Sequence, residues 1–369
     1  MVRNSKSSVV LFLELIRVAL GRQACLSHAP SGEEWRGLLQ ESARQAVVGV
    51  TYCALNRLPA DQRPPREVMI DWQASVQKII CDNKRLNHDS VWVSERFRKA
   101  GFRNAVLKGQ GNALLYPDPF MRTCGDIDIW LDGKRDDIIG YVTHFFPKIK
   151  VQWQEVEFPV RKGTCIEVHT TPALMFHPAD RRRMEAFFDI HREEIFANET
   201  ELPGEQGKVR IPTLRVNLTF QLIHIYRHIF NEGIGLRQLI DYDYLLQDCQ
   251  AKGRTDLLAE TAKTVKSLHM ERFVGALMWI MQEVFHLQEE LLILPPDEQE
   301  GRFLLREIML AGNFGQHDKR NKIKSGKWGN FWQQTIRNLR FLTHYPREVI
   351  WNPWYRISQF IWRKRNGYS

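Results

Sequence analysis

The chain of 369 residues predicts an α+β protein, mainly helical, with a mixed β-sheet core set between N-terminal and C-terminal helical segments. Three observations carry this. Residues 1–100 have the 3.6-residue apolar period of helices, the period shortens to two over residues 101–175, and helical spacing returns from Arg181 onward. At 43% apolar content the chain can bury a substantial core, and its length fits two or three domains. Boundaries are expected at 1–100 (helical region), 101–175 (sheet core), 176–318 (helical domain) and 319–369 (basic, Trp-rich helical tail).

In the first segment, residues 8–21, 33–57 and 66–100 read as helices, the last entered through Pro64-Pro65. Its stripe Trp72, Val76, Ile79, Asn83 and Leu86 gives one buried face. Glu14 and Arg17 interrupt the apolar run 9–20, which argues against a signal peptide or membrane span there, and no transmembrane segment is expected. Six scattered cysteines with no CxxC spacing indicate neither a disulfide framework nor a zinc ribbon, so a cytoplasmic, reducing location is expected.

In the middle segment, residues 102–107 read as a strand, Lys108-Gly109-Gln110-Gly111 as a turn, and 112–116 as a brief helix ended by Pro117 and Pro119. Residues 126–131 form the next strand and 136–146 a helix. Strands at 151–160 and 164–169 follow, joined by the turn Arg161-Lys162-Gly163. Beyond Arg181 helices dominate, with a polar loop at 198–208. No internal repeat is present.

The chemistry concentrates in Gly125-Asp126-Ile127-Asp128-Ile129-Trp130. On a strand, Asp126 and Asp128 project to one face about 6–7 Å apart, with Ile127 and Ile129 on the other. Two like charges on one face call for a cation between them, and Mg²⁺ is the usual one. Glu167, in Cys165-Ile166-Glu167-Val168-His169, adds a third acid on what should be a neighbouring strand. Three such carboxylates suit two Mg²⁺ ions, with Mn²⁺ as substitute, that bind triphosphate and activate a hydroxyl. Gly109 and Gly111 would let backbone N–H groups approach phosphate, and Lys108 and Arg122 offer cationic clamps.

This order of strand, glycine turn, Asp-x-Asp and later acid resembles the nucleotidyltransferase superfamily with the DNA polymerase β-like fold. Within it, Leu107-Lys108-Gly109, Arg122, Asp126-Ile127-Asp128 and Glu167-Val168-His169 resemble the bacterial family of uncharacterised nucleotidyltransferases. The similarity continues through residues 224–228 and Leu236-Arg237-Gln238-Leu239-Ile240-Asp241, covering roughly residues 40–345. It implies a nucleotidyltransferase-like sheet, catalytic and metal-binding roles for Asp126, Asp128 and Glu167, and transfer of a nucleoside monophosphate from a triphosphate such as ATP to a hydroxyl acceptor with release of pyrophosphate. It also implies a substrate pocket near His169, His224, His228, Arg237 and Asp241. The chain departs from the superfamily's usual glycine-serine or glycine-glycine pair, and its third acid is Glu rather than Asp.

Each signal has a plainer explanation. His224 and His228 have zinc-pair spacing, but Ile225 stands where a metalloprotease needs Glu. Asn217, Gln221, His224 and His228 form a polar line that would border a pocket or simply pack, and Arg237 and Asp241 have ion-pair spacing. A Walker phosphate loop is absent.

Net charge is +9, and from Lys319 to Ser369 twelve Lys or Arg face one acid, Glu348, leaving 40 basic and 42 acidic residues before it. Five of eleven tryptophans lie in that tail. The interleaved Arg and Trp of 351–356 and 360–365 suit an anionic partner, nucleic acid or membrane surface, or an aromatic helix pair packed on the body. The competing function is therefore a non-catalytic binding protein whose tail contacts nucleic acid or membrane.

Overall fold

In the computed structural model, residues 4–368 are described apart from 205, 317, 319 and 321–326. The first part of the predicted tail and the side chain of Trp328 lie outside the described residues.

Four helices open the chain: α1 (Asn4–Ala19), α2 (Gly32–Arg44), α3 (Val48–Leu55) and α4 (Arg66–Lys99). The single helix expected at 33–57 is two, because Ala46 takes φ +57° and Gln45 ends α2. Ser31 starts α2 with a capping box, its hydroxyl accepting from Glu34 N–H while the Glu34 carboxylate accepts from Ser31 N–H. All five residues of the α4 stripe are buried. Asn83 in that stripe donates to the carbonyls of Phe120 and Arg122, so α4 anchors the loop that leads into the acidic strand.

The middle segment holds β1 (Arg103–Val106), α5 (Gln110–Ala113), β2 (Ile127–Asp132), α6 (Arg135–Phe145), β3 (Glu155–Glu157) and β4 (Ile166–His169). They form a mixed sheet in the order β1-β2-β4-β3, with β2 parallel to β4 and the other two pairings antiparallel. The alternation works as the sequence suggests. Ile127, Ile129, Leu131, Ile166 and Val168 form a buried cluster with Leu86, Val93 and Phe97 of α4 and Ile138, Ile139 and Val142 of α6. Removing a side chain such as Ile129 from water is worth roughly 1.5–3 kcal/mol, so this face fixes the register of the other.

Next come α7 (Pro178–Ile190), α8 (Arg192–Ala197), β5 (Glu199–Leu202) and β6 (Gly207–Arg210). The expected polar loop is thus a two-stranded hairpin, whose Leu202 and Val209 pack on Val106. Helices α9 (Leu214–Asn231), α10 (Leu236–Ala251), α11 (Asp256–Ser267), α12 (Glu271–Glu283), α13 (Glu298–Ala311), α14 (Lys327–Leu339) and α15 (Pro346–Arg365) complete the chain. One apolar cluster runs from Leu11 and Phe12 through Phe220 and Leu277 to Val349, so the first and last helices share a core. Arg17 donates to Val284 O, and Arg22 pairs with Asp243. Mainly helical structure with a small mixed sheet is what the sequence predicts.

All six cysteines are free. Among the described residues, no helix is long and apolar enough to cross a membrane.

Candidate active site

The parallel register sets Asp128 directly beside Glu167, and Trp130 beside His169. Side chains two apart share a face, so Asp128, Glu167 and His169 converge on the side opposite the isoleucines. One ligand atom from each lies within 4.8 Å of the others, which makes this the described group able to hold a metal ion. Asp128 Oδ1 lies 2.8 Å from His169 Nε2. The predicted trio is therefore rearranged: Asp128 and Glu167 meet, Asp126 is half-buried at the mouth outside that group, and His169 takes the third place.

Charge compensation also differs from expectation. Lys108, just past β1, crosses to β2 and sets its ammonium 3.0 Å from Asp128 Oδ2. Lys108 thus faces the acids and is not held out as a free phosphate clamp. Burial alone would favour neutral Asp128, but Lys108 and the His169 hydrogen bond outweigh it and hold the carboxylate far below its ordinary range. Burial would likewise lower Lys108, yet Asp128, Asp126 and Glu167 together raise it. For Glu167, burial first and then the charges of Glu155 and Asp128 push the carboxyl up to about 8.

Glu155 is a residue that the sequence reading missed. It sits opposite His169 on β3, is buried, and faces Arg227 of α9 at 3.6 Å. Its signal was present, since Glu155-Val156-Glu157 repeats the acid-apolar-acid period of Asp126-Ile127-Asp128.

The glycine turn has a steric reason. Gly109 has φ +57°, and a Cβ there would meet Asp126 O at 3.3 Å, so only glycine lets the turn lie against the acidic strand. Gly111 makes room for Ile211, and its N–H already bonds Lys108 O.

Arg122 is not a clamp open to solvent. Its guanidinium is buried and bound to Asp241 by two hydrogen bonds of 2.8 Å, while Tyr116 donates to the same carboxylate at 2.7 Å. Asp241 thus pairs with Arg122 and not with Arg237, which instead donates to Thr123 O at 3.0 Å. Both arginines hold the loop before Asp126 from behind. Asn112 of α5 is reached by Gln221 of α9 at 2.9 Å, so two members of the predicted polar line join the same network.

His224 and His228 meet edge to face with ring centroids 4.3 Å apart, and they belong to no described metal group. Burial, with Lys108 nearby, pushes the His224 ring well below its ordinary value, so it is neutral at pH 7. Lys108, Gly109, Asp126, His224, Arg237 and Asp241 all border one cleft, together with Arg122 and Phe314. Its free volume is about 20 Å³, room for about one water molecule.

The donor set fits a divalent ion. His169 Nδ1 is buried without a hydrogen-bond partner, and the carboxylates suit a hard cation while the imidazole widens the choice to transition ions.

The cluster of Asp128, Glu167 and His169 on a mixed sheet beside a glycine turn is one that could hold a metal ion. The family model described as uncharacterised nucleotidyltransferase matches residues 31–286, well over half of the chain, and the chain belongs to that family. Comparison with curated proteins gives no match. Among solved structures, an antigenic nucleotidyltransferase-like protein from Paracoccidioides brasiliensis is similar at 14% identity, over 50% of this chain and 92% of that one, with a TM-score of 0.29.

Proposed function

We propose that this protein is a metal-dependent nucleotidyltransferase that transfers a nucleoside monophosphate from a nucleoside triphosphate to a hydroxyl acceptor and releases pyrophosphate. Family membership supports the class of reaction, and the observation that carries the reading is the register that sets Asp128 beside Glu167. Asp128 and Glu167 would hold a divalent ion, Mg²⁺ or Mn²⁺, with a second at Asp126 and Asp128 when triphosphate enters. Bound there, the metal supplies charge neutralisation at the phosphates and lowers the pKa of the acceptor hydroxyl.

The chain's own groups do the rest. Glu167, deprotonated once the ion is held, accepts the hydroxyl proton as the acceptor oxygen bonds to the α-phosphorus. The bond from that phosphorus to the bridging oxygen breaks in line, and pyrophosphate leaves. Lys108 exchanges Asp128 for the departing phosphates, which requires the residues around the narrow cleft to part. Arg122 and Arg237 hold the loop before Asp126, and neutral His224 offers the acceptor a hydrogen bond.

The pairing of Lys108 with Asp128 is the observation that favours a second reading, a non-catalytic protein in which lysine permanently takes the cation's place. Calorimetry with Mn²⁺ or Mg²⁺ and each nucleoside triphosphate separates the two. Triphosphate binding that needs metal supports the enzyme, and its absence supports the binding protein.

A further inference from the structure

The last two helices carry their apolar residues on the outside. On α14, Trp332, Ile336 and Leu339 follow i, i+4, i+7 spacing and are 55%, 57% and 55% exposed. On α15, Ile350, Trp354, Ile357 and Ile361 follow i, i+4, i+7, i+11 spacing and are 53%, 63%, 42% and 44% exposed. At 100° per residue, these four lie within an arc of about 60°. The inward side mixes apolar residues, Val349, Tyr355 and Trp362, with polar ones. Asn352 is fully buried, Glu348 accepts from Phe176 N–H and His177 N–H, and Arg356 donates to Phe331 O of α14. A helix that already has one side packed on its protein while offering water a further row of Ile and Trp has a partner for that row.

Charge narrows the partner. The only acid of the tail, Glu348, is buried, whereas Arg363, Lys364 and Arg365 at the end of α15 have no carboxylate partner among the described residues. The face therefore combines apolar side chains with positive charge and presents no negative one. A second copy would bring like charges together. Nucleic acid would stack on the tryptophans but gains nothing from Ile336, Leu339, Ile350, Ile357 and Ile361, which have no π-face.

We infer that α14 and α15 form an interfacial docking surface for an anionic lipid bilayer, with the Ile, Leu and Trp rows entering the headgroup boundary and Lys364 and Arg365, which flank the α15 row, binding lipid phosphates. The inference is independent of the nucleotidyltransferase reading. It makes the protein peripheral to a membrane.

Cosedimentation of the full chain with phosphatidylglycerol–phosphatidylcholine vesicles, read together with tryptophan emission, tests it. Binding with a blue shift, absent on pure phosphatidylcholine and weakened by salt, is expected. The triple variant W354S/I357S/I361S changes only exposed positions, so its melting temperature should match the parent while vesicle affinity falls about tenfold or more. Failure of the parent to bind anionic vesicles, or unchanged binding by the folded variant, overturns the proposal. So does single-stranded RNA binding, or a dimer in light scattering, that these substitutions abolish while vesicle binding persists.

Discussion

Lys108 Nζ lies 3.0 Å from Asp128 Oδ2, and this contact joins the glycine turn to the acidic strand across the β1–β2 pairing. The ammonium occupies the position from which a cation would serve Asp128, so metal and lysine compete for one carboxylate oxygen.

Replacing Lys108 by Met should expose that competition. Asp128 is left buried with only His169 beside it, which costs about 3 kcal/mol in chelator, and Mn²⁺ should restore much of it. Melting curves with EDTA and with Mn²⁺ check this, and calorimetry should show tighter metal binding than in the parent. Unchanged stability in EDTA would mean that the ion pair is idle.

Glu167, raised to about 8 by burial and by Glu155 and Asp128, holds its proton at pH 7 in the metal-free protein. A ligand must be deprotonated, so metal affinity should rise with pH up to about 8, with about one proton released per ion bound at pH 7. Calorimetry in buffers of different ionisation heats counts that proton. In E167Q the release should diminish and affinity should fall.

The Arg122–Asp241 pair is buried on both sides. D241N strands a guanidinium, and should cost about 3–5 kcal/mol by urea denaturation. The double variant R122M/D241L should recover part of this loss, because an apolar pair carries no desolvation penalty. Additive losses would contradict the pairing.

Glu348 has its carboxyl pushed up by burial from 4.5 to about 7 despite two backbone donors. Between those values the unfolded chain releases a proton that the folded chain keeps, so this group lowers stability as pH rises through that window, by about 3 kcal/mol in all. E348Q should flatten the pH dependence of the melting temperature between pH 4.5 and 7. A parallel curve would sink this assignment.

How much of this was legible in the sequence depends on the range of the interaction. Alternation placed Ile127 and Ile129 in the core and Asp128 on the other face, because strand period is a local property. Helix α4 was legible down to its stripe for the same reason. The pairing of Asp241 with Arg122 was not, because 119 residues separate them and Arg237 sat at the more suggestive i, i+4 distance. His169 was read as a pocket residue, and only the register of two parallel strands turns it toward Asp128. The hairpin β5–β6 was hidden because its polar residues face solvent and only Leu202 and Val209 reach the interior. In α15 apolar residues lie on both sides, Val349 and Tyr355 inward and Ile350 and Trp354 outward, so periodicity gave the helix without its orientation.

The central claim is that Asp128 and Glu167 hold the metal for nucleotidyl transfer. Its most direct test is transfer of label from α-labelled triphosphates, with Mg²⁺ or Mn²⁺ and a host extract as acceptor source, by the parent and by D128N. The account predicts metal-dependent labelling with pyrophosphate release by the parent, and at least about a hundredfold less by D128N with an unchanged circular dichroism spectrum. Labelling at the parental rate by D128N would contradict it.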